Sequence, residues 1–543
     1  MKRKAVAAVL TAVMVASMFT GCGSDKGSSS AKSTSAASAA NDTVDEDGKV
    51  NGIMYQEGLP LVDEGAYTFS IFCDDSSESG EFIMLDEFKK QTNVDVDLKI
   101  YPYETATERL NLDLNSGDYA DVIGGWTLSD NAILTYGVNQ GVFIPLEDYF
   151  EKYCPNISAI LDLPGVREKM TAPDGHIYTI PYVCADSTVG YSPYINTKWL
   201  ENVGMSMPTT TDEFEAVLKA FKEQDANGNG DASDEIPFST DPNNKHIEAM
   251  AGYFGLPMNK LGIAIQNEKV VYGGVSDTYR EFLSWFHKLY AEGLVDVELY
   301  TQDSSTWEGK GNQDLYGVSI AYGSREFTGI PAAEERGDFD SMPVLNTDKD
   351  GIWLRDTEGF SVYRTQAVIT NKAEHPEIIC RWFDNAFALE NGIGCNRGPV
   401  GVIVNKEDDG YHAIDTTTLS EEDQEKYSWG NLWPQSLPKY LPADFEFVEE
   451  HPMYDEKKAT EEAYEANLTK EIIPSYWIDL DKIDTFSDTN TAIKDFFEQQ
   501  QAQFVCGELD IDNDADWQAY VDGMYSLGLE DWVATQGIEE IAK

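Results

Sequence analysis

The stretch FKEQDANGNGDASDEIPF, residues 221–238, sets oxygen-bearing side chains at alternate positions around a glycine. Asp225, Asn227 and Asn229 fall at positions 1, 3 and 5 of an EF-hand-type loop, and Gly230 takes the sharp turn at position 6. An EF-hand closes with a bidentate Glu at position 12, but Ile236 stands there and the acids come earlier, as Asp234 and Glu235. Hard oxygen donors in this order, with Asp231 adding a backbone carbonyl, suit Ca2+ and not zinc. A metal-free turn has the same composition, since Asn, Asp and Gly favour turns. There is no second loop of this kind and no Met-rich flanking helix, so the expectation is one structural Ca2+ and not a sensor switch.

Signatures of catalysis are missing. The chain has no GxSxG, no Walker GxxxxGK[ST], no GxGxxG, no SxxK with its partners, no HExxH and no CxxC. Any ATPase working with it is therefore a separate subunit. Among 96 Asp and Glu, a glycosidase carboxylate pair stays open, because the separation that defines it is spatial. Against those acids stand 39 Lys and Arg, giving a net charge of −57. Such a surface repels nucleic acid phosphates and anionic membranes and favours a soluble monomer.

The elements that must carry these residues read as α/β. Of the 543 residues, 42% are hydrophobic and 12% aromatic, enough for two or three large lobes. YTFSIFC (67–73) and VDVDLKI (94–100) alternate as strands, and EFIMLDEFKKQ (81–91) between them carries apolar residues at helical spacing. Strand, helix, strand at this spacing predicts a βαβ unit with parallel strands. A helix over 105–116 follows, then a short buried strand in ADVIGGWTLSD (120–130) that breaks at Gly124-Gly125. Ligands of open α/β sheets sit beyond the carboxyl ends of strands, which is where Trp126 lies. Ile379, Trp382, Phe383 and Ala386 form one apolar helical stripe; Trp517, Tyr520, Val521 and Met524 form another.

The amino terminus has Lys2, Arg3 and Lys4, an apolar run from Ala5 to Phe19, and then Thr20-Gly21-Cys22. This reads as a signal peptide over 1–21 and a lipidated Cys22. Residues 22–65 begin rich in Ser, Ala and Gly and form a flexible tether. The remaining six cysteines are dispersed and read as small buried hydrophobes.

FIPLEDYFEKYCPNI (143–157), PDGHIYTIPY (173–182), the segment 195–225, LYAEGLVDVEL (289–299), 367–387 and 504–532 occur in an order that resembles the extracellular solute-binding lipoproteins of ABC sugar importers. That class includes the maltose- and alginate-oligosaccharide-binding proteins. The resemblance implies a two-lobed α/β fold of periplasmic-binding-protein type II with a C-terminal helical extension. It implies a first lobe over 66–182 that returns around 345–400, and a second over 183–344 completed around 401–543. It implies capture of an oligosaccharide between the lobes and delivery to ABC permease subunits from the outer face of the bacterial cytoplasmic membrane, held there by the lipid alone. The alginate-binding branch has a loop similar to Asp225–Glu235; which of Asp234 and Glu235 is bidentate stays open.

Trp126 and Asp130 resemble a Trp and an Asp that the maltose-binding branch carries after its matching strand. Tyr322 and Arg325 in IAYGSRE follow a buried strand of the second lobe, and Trp307 and Trp353 sit in polar stretches where an exposed aromatic would serve a ligand. Sugar rings pack their C–H faces on aromatic rings, leaving hydroxyls for polar partners. Two other readings remain at this level: a secreted, calcium-containing glycosidase or lyase, and a ligand-sensing lipoprotein that partners a membrane receptor.

Overall fold

The computed structural model describes residues 42–75, 81–241, 246–329, 338–414, 416–442, 445, 447–448 and 452–542. The signal peptide, Cys22 and the first part of the expected tether lie outside the described residues; the rest of 22–65 is not a tether, because Val50, Met54, Leu61 and Val62 are buried in the first core. Strands of the two main sheets are, in chain order, β1 (Tyr67–Asp74), β2 (Val94–Tyr101), β3 (Val122–Gly124), β4 (Thr179–Ala185), β5 (Ser192–Asn196), β6 (Ile236–Thr240), β7 (Tyr316–Ala321), β8 (Phe339–Ser341) and β9 (Phe360–Ile369). Helices used below are α1 (Ile83–Thr92), α2 (Tyr103–Ser116), α3 (Thr211–Glu223), α4 (Ser304–Asn312), α5 (Pro376–Ala386), α6 (Pro452–Tyr464), α7 (Ile483–Cys506) and α8 (Asp514–Ser526).

The first sheet runs β2-β1-β3-β9-β4. β1 is parallel to β2 and β3, and β9 enters antiparallel between β3 and β4. The βαβ expectation holds with boundaries moved by one or two residues. Asn93 ends α1 in the left-handed region (φ 58°), with its N–H bonded to the Lys89 carbonyl. Gly117 does the same for α2 at φ 75°. Phe88 on α1 is fully buried and meets Trp382 of α5 edge-on at 5.5 Å; Trp382 also meets Phe69 of β1 at 5.3 Å and stacks on Trp433 at 5.7 Å. The predicted stripe on α5 is therefore core.

The second sheet runs β8-β5-β7-β6. Its core takes Trp199, Phe214 and Phe221, and from the far end of the chain Tyr464, Phe497, Phe504, Trp517, Tyr520 and Trp532. α7 and α8 thus form the helical extension. The segment 401–543 is divided, however: Trp433 and Leu437 lie in the first lobe's core, and the chain joins the second core at Tyr464. No helix among the described residues is long and apolar enough to cross a membrane. All six described cysteines are free thiols; Cys73, Cys154, Cys380 and Cys395 are buried.

Candidate functional site

β1 ends in Asp74, whose buried carboxylate takes up the chain that follows β3. Asp74 Oδ1 accepts the Trp126 N–H at 3.0 Å and Oδ2 the Thr127 N–H at 2.6 Å. Burial pushes this carboxyl's pKa up, while those N–H bonds oppose the shift. Gly125 makes the close approach possible: at φ 130°, a Cβ there would lie 2.2 Å from Asp74 Oδ1. The turn presents Trp126 to solvent, 46% exposed, with its ring edge-on to Tyr363 of β9 at 5.1 Å. Tyr363 in turn stacks on Tyr182 of β4 at 5.6 Å. Apolar rings with polar rims at the carboxyl end of a sheet suit a sugar's C–H faces and hydroxyls.

Asp130 opens the short helix Asp130–Ala132 behind Trp126. Its carboxylate is held bidentately by Arg364, from Nε at 2.8 Å and Nη2 at 2.5 Å. Arg364 also donates to the carbonyls of Ser475 and Tyr476 and stacks on Trp477 at 4.1 Å. The pair fixes the first lobe's face to the segment entering α7.

Tyr322 lies just past β7 and meets the first lobe through Asp186, which follows β4. The Asp186 carboxylate accepts from Tyr322 Oη at 3.0 Å, Ser361 Oγ at 2.6 Å and Tyr363 Oη at 3.0 Å. One acid in the crossing between the sheets is thus bonded by both. Lys457 of α6 sits over the Tyr322 ring at 3.7 Å and donates to the carbonyls of Val189 and Gly190 in the same crossing. Burial lowers its pKa to about 8. Tyr322 is also edge-on to Tyr191, which stacks on His246 at 4.0 Å. Burial holds the His246 imidazole near pKa 4, so it is neutral at pH 7. Arg325 begins the short helix Arg325–Thr328 at the same end of β7.

Tyr182, Asp186, Tyr191, His246, Tyr363 and Lys457 escape the sequence reading. The density of tyrosines in YTIPYVCADSTVGYSPY (178–194) is the one local signal, and it is equally the signature of buried strands.

Two candidates are corrected. Trp307 is not an exposed loop aromatic. Asp303 caps α4 by accepting the Thr306 N–H, the polar stretch becomes a helix, and its single large apolar residue turns inward. Trp307 is 2% exposed, donates Nε1–H to Ser319 Oγ at 3.1 Å and packs on Phe327. Trp353 is 1% exposed between Tyr253 and Tyr464, at 5.7 and 5.5 Å. Both are core side chains.

The loop after α3 is closed by hydrogen bonds from its own side chains. Asp225 Oδ2 accepts the Gly230 N–H at 3.0 Å; Asn227 Oδ1 and Asn229 Oδ1 accept the N–H groups of Asn229 and Asp231. Asp231 Oδ1 takes both donors of Ser233. The amides of Asn227 and Asn229 turn toward Asp234. Glu235 closes the loop, Oε1 accepting the Ala226 N–H at 2.9 Å, but its Oε2 is buried with no hydrogen-bond partner. Burial, reinforced by Asp234, pushes the Glu235 pKa up. A carboxylate oxygen so placed fits a cation, and the donor set is the all-oxygen one that Ca2+ prefers.

Residues 76–392 match the family model described as bacterial extracellular solute-binding protein. The chain is 32% identical over 379 residues to the fructooligosaccharide ABC transporter substrate-binding protein FusA of Streptococcus pneumoniae serotype 4, which spans 67% of this chain and 68% of that protein. The structure of an S. pneumoniae FusA EF-hand mutant in complex with fructo-nystose is similar at a TM-score of 0.75 and 27% identity, covering 86% of this chain and 98% of that one. Alginate-binding AlgQ2 without calcium ion shares the fold, at a TM-score of 0.71 and 22% identity over 89% and 99% of the two chains. With its two sheets, each carrying its own core, and its helical extension, the chain belongs to the bacterial extracellular solute-binding proteins and has their two-lobed type II fold.

Proposed function

We propose that the protein binds an oligosaccharide between its lobes, against Trp126, Tyr363 and Tyr182 on one side and Tyr322 and Tyr191 on the other, and delivers it to an ABC permease. The observation that carries this reading is Trp126, exposed at a strand end yet anchored through its backbone to Asp74 and set edge-on to Tyr363. FusA, named for fructooligosaccharides and an ABC transporter, supports the substrate class and the partner. Asp130 and Arg325 flank the two faces and would meet hydroxyls. The protein acts as a monomer that hands its cargo on unchanged. Cys22 carries the lipid that holds it at the outer face of the cytoplasmic membrane.

The 225–235 loop holds one structural Ca2+ through Asp225, Asn227, Asn229, the Asp231 carbonyl, Asp234 and Glu235. The unpartnered Glu235 Oε2 supports this, as does the EF-hand named for the FusA structure. The ion would fasten the end of α3 to the start of β6, with no part in recognition.

The test is a glycan screen by calorimetry, followed by Trp126→Ala. The substitution should weaken binding by on the order of 2 kcal/mol or more while melting stays unchanged. Unaltered affinity removes Trp126 from the site, and cleavage of the bound glycan on incubation would make the protein an enzyme.

A further inference from the structure

A second exposed tryptophan is tied to the same strand end as Trp126. Trp429, in the short 3-10 turn Trp429–Asn431, is 55% exposed. Its carbonyl accepts from Gln435 Nε2 at 2.9 Å, and the Gln435 backbone N–H donates to Asp75 Oδ2 at 2.7 Å. Gln435 Oε1 receives the ammonium of Lys439 at 2.7 Å. That ammonium, on a side chain 1% exposed, lies 5.3 Å from the centre of the Tyr182 ring and 5.7 Å from that of Trp429.

Two consecutive acids at the carboxyl end of β1 therefore place the two exposed tryptophans, Asp74 directly and Asp75 through Gln435. The rings of Trp126, Tyr363 and Tyr182 touch in turn, and the Lys439 ammonium links the last of them to Trp429. A cation against one face of an indole pins the ring and leaves the opposite face free for a partner. Lys439 is costly to bury, as its pKa, lowered to about 8, shows. Its position between two rings is accounted for if it orders both.

We infer that Trp429 is a second carbohydrate-stacking residue, and that the ligand is an oligosaccharide long enough to lie over both tryptophans. This rests on the reading of the Trp126 face as the glycan site. It adds a chain-length requirement that a site built on Trp126 alone would lack.

The experiment titrates homologous series of inulin-type, xylo-, manno-, gluco- and galacturono-oligosaccharides, from the disaccharide upward, into wild type, Trp126→Ala, Trp429→Ala and Trp429→Phe. In the series that binds, wild-type affinity should rise with length. Trp429→Ala should lose tenfold or more on the longest member and leave the shortest bound member as in wild type. Trp429→Phe should recover part of the loss, and Trp126→Ala should weaken every member. Melting temperatures of the Trp429 variants serve as the folding control and should match wild type, because the ring is exposed. Trp429→Ala binding all lengths as wild type does, or a wild type that retains only disaccharides, overturns the inference. If Trp126→Ala is silent as well, the reading of the whole face falls with it; if Trp126→Ala weakens binding and Trp429→Ala does not, the chain-length inference alone falls.

Discussion

Glu235→Gln should change sign with calcium. In chelator, the wild-type carboxylate keeps Oε2 buried without a hydrogen-bond partner and faces the charge of Asp234. A buried group left unsatisfied costs about 1–3 kcal/mol. Gln keeps an oxygen for the Ala226 N–H, removes the charge and can donate its amide N–H toward the Asp234 carboxylate, so the chelated variant should be the more stable by about 1 kcal/mol at neutral pH. Calcium reverses the order. An ion that binds only the folded state adds RT ln(1 + [L]/Kd), about 2.7 kcal/mol at a hundredfold excess over Kd. The variant has lost one ligand charge and should gain far less. Melting of the mature protein, followed by circular dichroism in EGTA and again in millimolar calcium, should show the two curves exchanging places. Wild-type melting indifferent to both conditions would refute the site. So would a variant lowered equally in each, which is what a metal-free turn relying on the Glu235 hydrogen bond would give.

Trp307→Ala and Trp353→Ala should each lower stability by about 3–5 kcal/mol and leave glycan affinity at the wild-type value, measured by denaturation and calorimetry; a loss of affinity with full stability would restore them to the site. Gly125→Ala should destabilise the fold and weaken binding, because its Cβ would meet the Asp74 carboxylate that holds Trp126; a variant with wild-type melting and affinity would show that the turn can shift freely. Burial raises the folded-state pKa of Asp384 to about 6, above the usual Asp value, so the folded protein binds more protons than the unfolded chain between about pH 4 and 6. Stability should therefore fall as pH rises through that window, and Asp384→Asn, which can still accept the Ile157 N–H, should flatten the slope in urea titrations.

The parts of this structure that local pattern specifies were legible. β1, α1, β2 and α2 follow from two periodicities read over a few residues each, and the α5 stripe from Ile379, Trp382, Phe383 and Ala386. The exposed place of Trp126 just past β3 was legible because the strand breaks at its glycines, and Gly125 makes room for a close turn. Asp186 was not, since its partners Tyr322 and Tyr363 are 136 and 177 residues away and nothing near Asp186 marks it. Trp307 misled because a helix with one large apolar residue has no period; its evidence was the Asp303 cap, a single polar side chain. The division of 401–543 was hidden for a similar reason: LWPQSLP (432–438) packs as irregular chain, where burial follows from what lies opposite.

The three donors on Asp186 have a consequence for how strongly any sugar is held. Ser361 and Tyr363 belong to one lobe and Tyr322 to the other, so separating the lobes breaks the set. A hydrogen bond to a charged acceptor contributes about 1.5–3 kcal/mol, a factor of about ten to a hundred in the balance between apart and together. Measured affinity is the intrinsic affinity multiplied by the fraction of molecules already in the competent arrangement. On the proposed site, Asp186 would act as a gain control: it would scale capture of every ligand by one factor, set at the crossing and separate from the rings proposed to meet the sugar.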